Sequence, residues 1–200
     1  MPQKLEFFYD CSSPWTYLAF TKIEEVAGRG GAELIWRPFL VGGVFNTVNP
    51  SVYDGRKNPV PLKAKYYVKD LQDWARFYQI KIVNPTVFPV NSVKAMRGAL
   101  VAHEHGKISP YSRRVFERYW GDNRDISQDD VLRDIAGDVG LDDQEYFEKI
   151  SSQPYKDKLR ANTEELMSRG GFGSPTMYVN GASMFFGNDR LPLVEWELSK

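Results

Sequence analysis

Apolar positions open the chain in a short aromatic run. Residues 5–9, Leu-Glu-Phe-Phe-Tyr, are bounded by Asp10 and a Ser12-Ser13-Pro14 cluster and predict a buried strand. Ser12 or Ser13 suits a helix N-cap, and Pro14 suits the first helical position, where its missing N–H costs nothing. Trp15, Leu18, Ala19, Ile23 and Val26 then recur at helical spacing until Gly28, Gly30 and Gly31. Residues 32–37 predict a second strand, limited by Pro38. Strand, helix and strand in such close succession make a βαβ unit with a parallel pair.

The pattern then changes. Residues 41–61 carry Gly42, Gly43, Asn46, Asn49, Pro50, Gly55, Pro59 and Pro61 and predict a loop, long enough to be functional. Helical spacing returns over 62–78, 91–105, 110–120, 129–139, 142–150 and 154–169. Residues 176–179 and 182–186 flank Asn180-Gly181, a favoured two-residue hairpin turn, and 189–198 predict a final helix. The order β-α-β, helical block, β-β-α matches an α/β thioredoxin-like fold with an all-helical insertion between the second and third strands. The expected division is a thioredoxin-like domain over 1–40 and 170–200, with a loop and helical insertion domain over 41–169.

Composition narrows the function. Lys plus Arg and Asp plus Glu are 26 each, and a net charge of zero argues against nucleic acid or an anionic membrane as partner. A lone cysteine, Cys11, forms no intramolecular disulfide and no multi-cysteine zinc site, and nothing demands an oxidising compartment. His103 and His105 stand two apart on a predicted helix and point away from each other, so no metal is expected. No apolar run spans a bilayer and no leader pattern opens the chain, so a cytoplasmic protein is expected.

Three segments carry candidate chemistry. Ser13 stands at a strand's end and a helix's start, where backbone N–H groups favour negative charge. In redox proteins of this architecture a nucleophilic cysteine occupies that position. Serine exchanges no disulfides, but its O–H can donate to a sulfur anion on a ligand; the plainer reading is an N-cap. Ser174-Pro175 precedes the third strand. A cis bond there would leave the Ser174 N–H and C=O open to an extended peptide, whereas an ordinary trans turn would not. Gly187-Asn188-Asp189 joins the last strand to the last helix, as a cap or as a site for an amino-acid head group. Asn91 caps a helix or contacts a ligand. Cys11 reads as a packed small residue, and Tyr66, Tyr67, Trp74 and Phe77 read as core or dimer surface.

Taken together, Phe7-Phe8-Tyr9-Asp10, Ser13-Pro14, Tyr17-Leu18-Ala19, Trp36-Arg37-Pro38-Phe39-Leu40 and 69–75 resemble the 2-hydroxychromene-2-carboxylate isomerase and kappa-class glutathione transferase family. Phe172-Gly173-Ser174-Pro175-Thr176 and 186–191 complete the resemblance, which runs nearly end to end. It implies glutathione as cofactor, with Ser13 facing its sulfur as the catalytic residue. It also implies Ser174 and Pro175 at the cysteinyl part, and Gly187, Asn188 and Asp189 at the γ-glutamyl end. Asn49 is the nearest match to an asparagine that contacts ligand in relatives, and Trp15 and Phe45 would wall an aromatic-substrate pocket. The length and the Trp-Arg-Pro-Phe-Leu segment resemble the bacterial isomerase branch, while Cys11 departs from the apolar residue usual there. The resemblance implies a homodimer and a small aromatic carboxylate or other electrophile as partner. Three readings follow: a glutathione-dependent isomerase of aromatic degradation, a transferase that stops after thiolate addition, and a non-catalytic binding module. Disulfide exchange fits least well, because Ser13 replaces the needed thiol and no second cysteine exists.

Overall fold

A computed structural model describes residues 3–200. Its sheet has four strands in the order β2-β1-β3-β4: β1 (Gln3–Tyr9), β2 (Ala32–Pro38), β3 (Thr176–Val179) and β4 (Ser183–Phe186). β1 pairs parallel with β2, Phe7 opposite Trp36, and antiparallel with β3, Phe7 opposite Met177. The thioredoxin-like expectation therefore holds. Period-two alternation sorts β1: Leu5, Phe7 and Tyr9 enter the main core, whereas Phe8 joins a second apolar cluster with Phe39, Val44, Leu166 and Tyr178. Glu6, next to Phe8 on that second side, is bound by Arg169 at 2.6 Å and Arg37 at 3.2 Å. Burial alone would raise the Glu6 pKa, but the two guanidiniums prevail and hold it below its ordinary value.

α1 (Pro14–Arg29) connects the parallel pair and buries Leu18, Ala19, Ile23 and Val26, as its spacing predicts. Eight α-helices lie between β2 and β3: α2 (Val41–Thr47), α3 (Ser51–Lys57), α4 (Pro61–Phe77), α5 (Val93–Glu104), α6 (Ile108–Phe116), α7 (Asp129–Asp138), α8 (Asp143–Ser151) and α9 (Gln153–Ser168). From α4 to α9 they share one continuous core with the sheet, in which Leu5 and Phe7 belong with Met96, Leu100, Tyr111 and Tyr146. α10 (Leu191–Leu198) closes the chain against α1. No helix of the described residues is long and apolar enough to cross a membrane.

Four expectations change. The 41–61 loop contains α2 and α3; Val41 and Val44 bury into the second cluster, and that packing overrides a glycine-rich composition. The 110–120 helix ends at Phe116 and continues as a π-helical turn, Glu117–Gly121. The hairpin loop has three residues. Asn180 and Gly181 both adopt the positive φ of a type I′ turn, but Val179 pairs with Ser183, leaving Ala182 over. The last helix begins at Leu191, after a 3₁₀ turn at Asn188–Arg190, with Pro192 in its first turn.

Candidate functional site

Where β1 ends, the chain must pass from a buried strand to a helix, and Asp10 organises that corner. Its carboxylate accepts from Ser12 N at 2.9 Å, from Val41 N at 2.9 Å and from Ser92 Oγ at 3.1 Å. These donors stand at the starts of α1, α2 and α5. Asp10 is fully buried; burial raises its pKa, and the three bonds oppose that rise. Asp10 was not singled out from the sequence, and two of its donors lie 31 and 82 residues away.

Ser13 follows as the N-cap of α1. Its Oγ accepts from Thr16 N at 3.3 Å and donates to Ser174 O at 3.3 Å. Both bonds are long, so the hydroxyl can turn to a better acceptor at small cost. The cap reading and the donor reading are therefore compatible. Ser174 is locked from beneath: its Oγ accepts from Asp10 N at 3.0 Å and lies 2.7 Å from Thr16 Oγ1. The Ser174–Pro175 bond is cis, as is Phe88–Pro89, which the sequence reading did not anticipate. The Ser174 carbonyl, expected to be open, is taken by Ser13 because the two face each other across the corner.

A cavity of about 590 Å³ opens above this corner. Ser13, Trp15, Phe45, Asn49, Asn91 and Ser174 all line it, so the structure brings six of the candidate residues together. Phe88, Phe172 and Phe186 extend its aromatic wall. Asn49 also braces the wall, donating through Nδ2 to Phe172 O at 3.1 Å and accepting from Ser51 Oγ at 2.8 Å. Asn91 Oδ1 accepts from Val93 N at 3.1 Å. The starts of α1 and α5, at Ser13-Pro14 and Ser92-Val93, border the cavity and turn two positive helix ends towards it.

Pro175, Gly187, Asn188 and Asp189 are not part of this lining. Gly187 N donates to Pro175 O at 3.1 Å, which sets their turn behind Phe186. Gly187 has φ +104°, a backbone that favours glycine, and an added Cβ would meet Asp189 Oδ1 at 2.7 Å. Asn188 is buried with its Nδ2 unpaired, and Asp189 accepts from Arg190 at 2.6 Å.

Cys11 is fully buried, and burial followed by the Asp10 charge pushes its thiol well above the ordinary value. It contributes backbone bonds only, from Cys11 N to Met96 Sδ and from Trp120 Nε1 to Cys11 O. Trp120 reaches it from the π-helical turn, an element the sequence reading missed.

The DsbA-like thioredoxin domain model matches residues 4–199. The 2-hydroxychromene-2-carboxylate isomerase of Sphingobium xenophagum is 29% identical over 195 residues, covering 98% of this chain and 97% of that protein. Glutathione S-transferase kappa 1 of Rattus norvegicus is 28% identical over 214 residues, covering 100% of this chain and 92% of its own length. A solved 2-hydroxychromene-2-carboxylate isomerase superposes with a TM-score of 0.81 at 25% identity, covering 97% of this chain and 93% of that one. With a family match from near the first residue of β1 to the residue after α10, the chain belongs to the DsbA-like thioredoxin domain family.

Proposed function

We propose that this protein is a glutathione-dependent isomerase acting on small aromatic carboxylates of the 2-hydroxychromene-2-carboxylate kind. One observation carries the reading: a serine hydroxyl, in place of a thiol, caps α1 at the edge of an aromatic-walled cavity, while the chain's one thiol is sealed away. The relatives' names support it.

The residues present fit glutathione. The cavity has the volume of a small-ligand site. The Ser174 N–H has no protein acceptor among the described residues, and the buried Asn188 Nδ2 has none either. Ser13 and Ser174 would hold the sulfur end of the tripeptide at the cavity, with the turn at Gly187, Asn188 and Asp189 outside that lining. When bound, glutathione would supply a nucleophilic thiolate. Ser13 would turn its O–H from Ser174 O to that sulfur, and the start of α1 would add a positive field, both favouring the ionised thiol at neutral pH. Trp15 and Phe45 hold the flat face of the substrate, and the apolar wall limits water.

A transferase of the kappa kind is the second reading. It is favoured by the full-length match to the rat protein and needs the same Ser13 apparatus. We also assign a homodimer, because α4 leaves Leu62, Tyr66, Tyr67 and Phe77 exposed at 82%, 60%, 59% and 75%. A cytoplasmic setting, in a route of aromatic breakdown, suits a cofactor that must stay reduced.

Ser13→Ala tests the reading. Turnover is expected to fall about 100-fold or more, the usual cost of losing a donor to a developing anion. Stability should stay within about 1 kcal/mol, the cost of a cap. An unchanged rate removes Ser13 from the chemistry. Glutathione mass balance with a chromene carboxylate separates the readings: no net consumption means isomerisation, a stable conjugate means transfer. Absence of glutathione binding by calorimetry would leave a non-catalytic module.

A further inference from the structure

The thiolate chemistry leaves one charged cavity residue unused. Arg56, in the last turn of α3, is the only charged side chain among the described residues lining the cavity. Its guanidinium lies over two rings, 5.7 Å from the Phe45 centroid and 5.3 Å from the Phe88 centroid. Other arginines of this protein also lie over rings, and each of those has a carboxylate. Arg37 and Arg169 share Glu6, Arg113 meets Glu24 at 3.9 Å, and Arg133 meets Asp143 at 2.9 Å. Arg56 has the aromatic support without the anion. Its planar fork, beside two rings and in the cavity lining, is suited to a bidentate carboxylate contact.

We propose that Arg56 receives the carboxylate of the aromatic substrate and so sets the preference for anionic over neutral electrophiles. This rests on the aromatic-carboxylate reading above and adds the residue that selects the charge. A ligand whose carboxylate meets this guanidinium places its own ring against the same Phe45 and Phe88 surface. The positive ends of α1 and α5 act in the same direction. α3 buries no side chain, so substitution at Arg56 leaves the fold intact.

Calorimetric titration with 2-naphthoate and with neutral 2-naphthamide tests this, with and without a fixed concentration of glutathione. Arg56→Gln should weaken naphthoate about tenfold or more, the loss of a charge-assisted hydrogen bond, and leave naphthamide within about twofold. Arg56→Lys should recover part of the loss. Unaltered melting by circular dichroism confirms that each variant folds. Equal weakening of both probes, an unchanged naphthoate affinity, no naphthoate binding by the parent, or a loss confined to glutathione's own Kd would each overturn the proposal. The titrations without glutathione report on Arg56 even if Ser13→Ala and glutathione calorimetry reject the thiolate reading.

Discussion

The floor and the rim of the cavity are built in opposite ways. At the floor, Asp10, Ser13, Thr16, Ser174, Val41 and Ser92 are joined by a hydrogen-bonded network whose carboxylate is fully buried. At the rim, α3 buries nothing, and its Arg56 stands exposed beside Phe45 and Phe88. A network that anchors three helix starts fixes the position of one hydroxyl. A rim of loosely held rings and one guanidinium can change its preference for substrates without disturbing that position. Proteins named as an isomerase and as a transferase both align along nearly the whole chain.

The contrast can be broken most severely at Asp10. Asp10→Ala strands Ser12 N, Val41 N and Ser92 Oγ and should cost about 3–5 kcal/mol in urea unfolding. A cost under about 1 kcal/mol would mean that the floor is not held by this carboxylate. Next, Phe45→Ala should raise KM for an aromatic carboxylate about five- to tenfold and leave kcat within about twofold, as expected for a wall that binds ground and transition states alike. A fall in kcat with KM constant would give the rim a share in the chemistry.

A smaller effect is expected from pH. Glu6 is depressed in the folded state, so its stabilisation is present above its unfolded pKa and is lost as pH falls through the folded value. Asp10 is raised, so its contribution is complete below its unfolded pKa and declines as pH rises through the folded value. Glu6→Gln should therefore flatten the acid limb of the stability curve and leave the neutral limb alone; an equally steep acid limb would reject the Glu6 assignment. The smallest stability change belongs to Leu62→Asp, within about 0.5 kcal/mol for the isolated subunit. Its size-exclusion profile should shift from dimer to monomer, and an unshifted profile would move the subunit contact away from α4.

Much of this was legible in the chain. The aromatic run at 5–9 and the stripe through Leu18, Ile23 and Val26 are repeated local signals, and the strands and helices formed where those signals lie. α2 was hidden because Gly42, Gly43 and Asn46 read as loop, and only burial of Val41 and Val44 makes that stretch a helix. Ser13 and Ser174 were visible from their prolines. Asp10 was not, because its partners Val41 and Ser92 lie 31 and 82 residues away and no local pattern announces them. Asn188 and Asp189 stand behind Phe186 because Gly187, with its positive φ, turns the chain towards Pro175. Arg56 escaped notice because stacking on Phe45 and Phe88 arises only when α2, α3 and the segment before α5 meet.

The sealed Cys11 has a practical consequence. Alkylating reagents find no ionised sulfur of the polypeptide near neutral pH. No thiolate of the polypeptide would therefore contribute to the change in ultraviolet absorbance when a thiol-bearing guest ionises. The ionisation of that guest could then be titrated directly inside the folded protein, with no mutagenesis to remove a competing signal.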